Sequence, residues 1–233
     1  AGVRPGMSCL EVGCGGGDLA CDMARLVGPE GRVVATDIDP TKIAIARDEA
    51  QAQHLNNIEF RLADITEAAP EQEFDLVHAR FVLTHLLDPA AALQSMRGAM
   101  RPGAVMVVQD IDFRGNFSYP EHPAFLRYIE LYTETVRRRG ADANIGPRLP
   151  ALLAAAGLTG IGMNVVQPAG LAGEVKLMAA LTVENIGEAV VAEGLATPDE
   201  VRRLAEELYA FARRPDTVIS LPRIVEAWGY LSG

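Results

Sequence analysis

The chain has 233 residues, 49% of them apolar and 22% charged, which is enough to bury a large core and excludes a disordered or fibrous chain. A formal net charge of −10 speaks against nucleic acid as a partner, because phosphate binders need lysine and arginine on one face. No apolar run approaches the roughly 18 residues that span a membrane, and the opening residues do not read as a signal peptide.

Met7 to Val12 reads as a buried strand. Gly13, Gly15 and Gly17 follow at alternate positions. Glycine takes positive φ without strain and lets a ligand approach the backbone closely. Asp18 is the expected N-cap of a helix whose apolar face is Leu19, Ala20, Met23, Ala24 and Val27, stopped by Gly28. Arg32 to Thr36 is the next strand. It ends at Asp37, twenty residues past Gly17. A carboxylate there can accept both hydrogen bonds of a ribose diol.

Asp39-Pro40 opens the second helix, with Pro40 at its first position. Asp88-Pro89 opens another, which runs to about Met100. Strands and helices alternate from 7 to 110, which implies a doubly wound α/β chain around a parallel sheet. Leu149 to Ala156 is a short helix ended by Gly157, and Leu158 to Gln167 is strand-like. Thr217 to Trp228 reads as the final strand. About fifty residues separate it from the strand near 160, and they read as helices over Glu174 to Glu193 and Pro198 to Arg213. Thr197-Pro198-Asp199-Glu200 is a strong helix start.

The glycine turn could belong to a dinucleotide site. Counted from Gly13, the third position of G-x-G-x-x-G falls on Asp18 and fails; counted from Gly15 it falls on Ala20 and passes. Glu11 discriminates better. An acid two residues before the first glycine puts negative charge where a pyrophosphate would need room. It suits a cationic ligand, such as the ammonium of S-adenosylmethionine.

Glu11-x-Gly13-Cys14-Gly15-x-Gly17 resembles the first motif of the class I S-adenosylmethionine-dependent methyltransferases. Val33 to Pro40 resembles their second motif. There the acid matching Asp37 holds the ribose and the apolar residue matching Ile38 packs on adenine. Arg61 to Ile65 resembles the third, in which the acid matching Asp64 takes the adenine amino group beside Ile65. Phe74-Asp75-Leu76-Val77-His78-Ala79-Arg80 is similar to the fourth strand, whose end, here Ala79 and Arg80, contacts the methionine part. Arg101-Pro102-Gly103 is similar to the turn into the fifth strand, Ala104 to Asp110. The motifs run in family order to about residue 112. Beyond that the resemblance loosens, toward enzymes that methylate quinones and natural products.

The resemblance implies a mostly parallel, seven-stranded, Rossmann-like sheet in one domain over 1–233, with a cofactor-binding half over 1–112 and a substrate half over 113–233. The family usually has a helical segment ahead of the first strand, covering the cofactor, which either lies outside this numbering or is lacking in this chain. The helical insertion, about 170–214, is either a lid over the substrate or a packing element of a homodimer.

Methyl transfer from a sulfonium is an in-line displacement, so the protein mainly orients and desolvates. A base is needed only where the acceptor carries a proton of high pKa. His85, after the fourth strand, is the candidate catalytic residue, and His78 reads as a core histidine. Asp110, Asp112, Tyr119 and His122 are candidates to line the acceptor site, while Tyr128, Ile129 and Tyr132 read as packing. Arg137-Arg138-Arg139 reads as a solvated helix end.

Cys9, Cys14 and Cys21 lack zinc-ligand spacing and bring no clustered histidine, so no metal is expected and they read as small buried side chains in a reducing cytosol. A cytoplasmic enzyme acting on a small molecule is the expectation, with S-adenosylhomocysteine as product and no nucleic acid or membrane as partner. The alternatives are an NAD-dependent oxidoreductase and an inactive cofactor-binding protein. The oxidoreductase would need a proton donor such as Tyr-x-x-x-Lys, and neither Lys42 nor Lys176 has a tyrosine four residues before it. At the place where amine methyltransferases of nucleobases carry an Asn/Asp-Pro-Pro-aromatic run, this chain reads Ala79-Arg80-Phe81-Val82.

Overall fold

A computed structural model describes residues 2–67 and 73–233. The first half runs β1 (Ser8–Val12), α1 (Asp18–Val27), β2 (Arg32–Asp37), α2 (Pro40–Ala52), β3 (Ile58–Leu62), β4 (Phe74–Arg80), α3 (Pro89–Gly98) and β5 (Met100–Asp112). The second half runs β6 (Ser118–Tyr119), α4 (Pro123–Arg138), α5 (Leu149–Ala155), β7 (Thr159–Val166), β8 (Ala169–Gly170), α6 (Met178–Ala192), α7 (Pro198–Arg213), β9 (Val218–Ser220) and β10 (Arg223–Tyr230).

The large sheet has seven strands in the order β3-β2-β1-β4-β5-β10-β7. Strands β1 to β5 are parallel, and β10 runs antiparallel to both β5 and β7. Strand order reverses between β1 and β4. In a doubly wound sheet, ligands bind beyond the carboxyl ends at that switch point. The central strands are apolar throughout because helices cover both faces. Leu10, Val77 and Met106 pack with Leu93 of α3 and Leu149 and Leu153 of α5. Cys9, Val33 and Leu76 pack on the other face with Met23 of α1 and Ala46 of α2. All three cysteines are buried free thiols.

Asp39 and Asp88 cap α2 and α3, accepting from the backbone of Thr41 and Ala91. Asp18, in contrast, is the first helical residue rather than the cap. Gly17 takes the cap position with φ 86° and closes the turn onto the carbonyl of Cys14. A Cβ on Gly17 would sit 2.8 Å from Ala46 Cβ, so this glycine is what lets α1 start against α2. The expected turn at 101–103 is a wide bulge inside β5: Met100 pairs with Phe74, and Val105 pairs with Leu76.

The expected final strand breaks in two. Val218–Ser220 joins β6 and β8 in a small antiparallel sheet, and the large-sheet strand starts only at Arg223. Pro222 has no N–H for a ladder, so the chain turns there. Leu221 is tied to the carbonyl of Pro168 on the way.

The helix expected from Glu174 also starts late. Residues 174–176 form one tight turn, and α6 begins at Met178. Lys176 is buried, and its ammonium donates to the carbonyls of Leu171, Arg214 and Thr217, which joins the end of α7 to the small sheet. α7 matches its expected bounds and begins with a full capping box between Thr197 and Glu200. The buried face of α6 is small: Ala179, Ala180, Val183, Gly187 and Val190. Leu177 and Leu181 are exposed. Small residues let α6 approach α7 closely; a Cβ on Gly187 would lie 2.9 Å from Val201. A third core forms under α4, α6 and α7 around Phe125, Leu131, Leu208 and Phe211.

Candidate functional site

The glycine turn is clamped from two sides. The N–H groups of Gly13 and Cys14 both donate to the carbonyl of Thr36, at 2.8 and 2.9 Å. The N–H of Gly15 donates to Asp37 Oδ2 at 2.9 Å, and that of Asp39 donates to Asp37 Oδ1 at 3.0 Å. Asp37 therefore shapes the turn as well as facing outward from the end of β2. Gly13 lies at φ 71°, and a Cβ there would meet Val82 at 2.4 Å. Gly15 lies at φ 54°, yet a Cβ there would meet nothing within 4 Å. The first glycine is forced by packing. The second opens onto free space.

A cavity of about 530 Å³ lies beyond these ends, lined among others by Gly13, Asp37, Ile38, Asp64, Ile65 and Phe81. Ile38 is 70% exposed on its wall, an apolar side chain left uncovered beside an acid. Asp64 accepts from the N–H and hydroxyl of Thr66, and these bonds hold its carboxyl below the usual range. Of the other residues expected at the cofactor, Glu11, Cys14, Gly15, Gly17, Ala79 and Arg80 flank this cavity rather than line it. Cys14 is buried, and burial pushes its thiol up to about 12. It is no nucleophile at neutral pH.

Glu11 is 3% exposed, and its Oε2 has no hydrogen-bond partner among the described residues. Burial raises its carboxyl to about 8; Arg80 pulls the other way, and Asp18 and Asp37 add to the rise. Its partner across the β1–β4 ladder is His78. His78 is buried as expected, but its Nδ1 lacks a partner, and burial followed by Arg80 lowers it to about 4. Two unpartnered polar atoms at a switch point need a donor or acceptor supplied by a ligand or water. The open space at Gly15, the orphan carboxyl oxygen of Glu11 and bare Ile38 fit an adenosine cofactor with a cationic tail.

A second cavity of about 260 Å³ adjoins the first, and Phe81 and His85 line both. Phe81 holds φ 57°, a left-handed conformation that costs a non-glycine residue about 1–3 kcal/mol. Its N–H is fixed to the carbonyl of Gln109 at 2.9 Å. His85 ends the short turn Leu83–His85. Burial, and then the Arg139 guanidinium, lower its imidazole, so it is neutral and able to accept a proton at pH 7. Asp110 sets this turn. It is fully buried and accepts from Thr84 N at 3.0 Å and Ile111 N at 2.9 Å. Burial raises it to about 6 against the pull of those N–H groups.

None of the four residues expected to line the acceptor site lines the second cavity. Asp110 supports the Leu83–His85 turn. Asp112 is buried in ion pairs with Arg114 at 3.1 Å and Arg223 at 2.7 Å. Tyr119 is 69% exposed on the small sheet. His122 caps α4 through Ala124 N and packs on Phe211 with 4.5 Å between ring centroids. The carboxylates turned inward because backbone N–H groups and arginines claim them. Tyr128 and Tyr132, read as packing, both line the second cavity, as do Thr84, Met178 and Thr182. A four-residue spacing, Tyr128 to Tyr132 and Met178 to Thr182, was the signal available for them. Among the described residues no group of histidine, cysteine and carboxylates could hold a metal ion, and no helix is long and apolar enough to cross a membrane.

A family model described as a methyltransferase domain matches residues 4–137. A ubiquinone/menaquinone biosynthesis C-methyltransferase of a Shewanella species is 32% identical over 136 residues, covering 57% of this chain and 51% of that protein. The corresponding protein of Teredinibacter turnerae is 33% identical over 138 residues, covering 58% and 53%. The chain thus spans about half the length of the curated relatives it matches. Among solved structures, a methyltransferase-like protein from Bacillus halodurans superposes with TM-score 0.67 at 17% identity, covering 100% of this chain and 96% of that one. That likeness establishes the seven-stranded fold.

Proposed function

The chain belongs to the methyltransferase domain family, and on that premise we propose that it moves a methyl group from S-adenosylmethionine to a small-molecule acceptor. The observation that carries this is the pair of adjoining cavities. One opens at the glycine turn and Asp37; the other is apolar, and the two meet at Phe81 and His85.

The cofactor supplies a methyl group already activated on a sulfonium. Asp37 would hold the ribose hydroxyls, Asp64 and Ile38 the adenine end, and Glu11 with the end of β4 the methionine end. Gly13 and Gly15 let the backbone pass close to the ligand. The apolar walls exclude water, which competes for the same methyl. Among the described residues, His85 is the one imidazole that lines both cavities. With an acceptor hydroxyl in the second cavity, its neutral imidazole would hold that hydroxyl's proton, and the bound cofactor would supply a methyl group already activated on sulfur. α6 acts as a wall of the acceptor cavity through Met178 and Thr182, which favours the lid over a purely structural insertion.

The three buried thiols suit a reducing, cytoplasmic setting. Nucleic acid is no part of the reading. Arg137 and Arg138 are both paired with Glu134, and Arg214 with Asp216. The oxidoreductase alternative lacks a donor: Lys42 is exposed in the first turn of α2, and Lys176 is committed to carbonyls. Side-by-side calorimetric titration with S-adenosylhomocysteine and NAD tests the proposal. Binding of the first and not the second is expected; preference for NAD would overturn it.

A further inference from the structure

We propose that Glu11 and His78 share one acidic proton in the free protein, that the cofactor's ammonium displaces it on binding, and that His78 then positions the carboxylate left behind. This rests on the methyl-transfer reading and deepens it.

The β1–β4 ladder sets Glu11 directly opposite His78. Opposite residues of neighbouring strands point to the same face, with the strands about 4.8 Å apart. The row continues to Ala35 of β2 on one side and Val107 of β5 on the other. Neither of those side chains can hydrogen-bond, so across the sheet each polar group faces only the other. Glu11 is 3% and His78 7% exposed, and Glu11 Oε2 and His78 Nδ1 have no partner among the described residues.

A carboxylate oxygen and a bare imidazole nitrogen are both acceptors. Two buried acceptors facing each other need a donor between them. A proton on the pair supplies it and also removes a buried charge. Burial moves Glu11 up to about 8 and His78 down to about 4, so the pair is neutral at pH 7. The charges around it are Arg80 on β4, which favours the carboxylate, and Asp18 on α1 and Asp37 on β2, which oppose it. Glu226 on β10 is held by the Gln109 amide at 3.0 Å. The thiols of Cys9, Cys14 and Cys21 are all pushed up by burial.

An ammonium donates where the shared proton did. The carboxyl O–H bond breaks, its proton passes to the solvent buffer, and one carboxylate oxygen accepts from the ammonium. The neutral imidazole, in the tautomer with hydrogen on Nδ1, donates to the other oxygen and fixes its direction.

Calorimetry of S-adenosylhomocysteine at pH 7 in phosphate and in Tris, buffers of different ionisation enthalpy, counts the protons released. Expected is about one for the parent chain, with affinity rising about tenfold per pH unit from pH 6 to 7.5. Methylthioadenosine keeps the nucleoside, lacks the ammonium, and should bind with no release. These two ligands decide the proton step without any variant. Glu11→Gln should release none with either ligand. His78→Leu should move the rise in affinity to higher pH by about one unit, because the carboxylate loses its donor. His78→Asn keeps an N–H close to the Nδ1 position and should hold the parent's profile. Binding of S-adenosylhomocysteine without proton release, equal release with methylthioadenosine, or equal pH profiles for His78→Leu and the parent would each overturn the proposal. Failure of S-adenosylhomocysteine to bind the parent chain would instead overturn the cofactor reading.

Discussion

Asp37→Ala should damage two things at once, and their sizes can be separated. Each carboxylate oxygen accepts one backbone N–H inside the protein, from Gly15 at 2.9 Å and Asp39 at 3.0 Å. Hydrogen bonds to a charged group contribute about 1.5–3 kcal/mol each when buried. Asp37 is half-exposed, and the freed N–H groups can reach water, so the loss of stability should be about 1–2 kcal/mol in total. For a chain of this length that is a fall in Tm of about 2–8 °C. The remaining acceptor capacity of the same two oxygens faces the cavity. Losing the ribose hydrogen bonds there should weaken S-adenosylhomocysteine by about 1.5–3 kcal/mol, or roughly tenfold to a hundredfold. Asp37→Asn keeps one carbonyl oxygen and should fall between. Thermal melts give the first quantity and calorimetry at 25 °C the second. A folded Asp37→Ala variant whose affinity stays within about threefold would refute the ribose assignment.

The two glycines should part company. Gly13→Ala, forced to φ 71° with Val82 at 2.4 Å, should destabilise by about 2–4 kcal/mol, whereas Gly15→Ala, strained by its φ of 54° but with open space around it, should cost only about 1–2 kcal/mol while losing cofactor affinity. Equal melting losses would show that the second glycine is merely part of a tight turn. Glu11 is held protonated by burial, with a folded pKa of about 8 against an ordinary 4.5. The folded state therefore binds the extra proton between those values, and its stability falls as pH rises through that window. Glu11→Gln should match the parent near pH 5 and gain on it by on the order of 2–4 kcal/mol by pH 8. His78, lowered to about 4, has the opposite slope below pH 6.5 but is common to both chains and cancels in the difference. Chemical denaturation at several pH values reads the gap; a constant difference would contradict it. Lys176→Met should orphan the carbonyls of Leu171, Arg214 and Thr217 and cost about 2–4 kcal/mol, with S-adenosylhomocysteine affinity intact. A melting temperature unchanged from the parent would show that the buried ammonium holds nothing together.

The cofactor half was legible in the sequence because its signals are local. An apolar run ending in Glu11, a glycine turn, and Asp37 at the end of the next strand are each defined by residues a few positions apart. Asp39-Pro40 and Asp88-Pro89 opened helices where they stood, since a cap needs only its own first turn. The glycine at cap position 17 was less legible, because the reason for it is Ala46 on another helix. The second half was decided by tertiary structure. The second cavity draws on Phe81, Thr84 and His85, Ile111 and Phe113, Tyr128 and Tyr132, Met178 and Thr182, and Leu221, Pro222 and Ile224. Nothing in their spacing along the chain brings these together. They meet because the small face of α6 packs down onto α4 and α7, and because Pro222 turns the chain out of the small sheet into β10. The same packing turned Asp110 and Asp112 away from the second cavity. A carboxylate near a sheet edge is drawn to whichever donors lie within reach, and here these were the N–H groups of Thr84 and Ile111 and the guanidinium groups of Arg114 and Arg223.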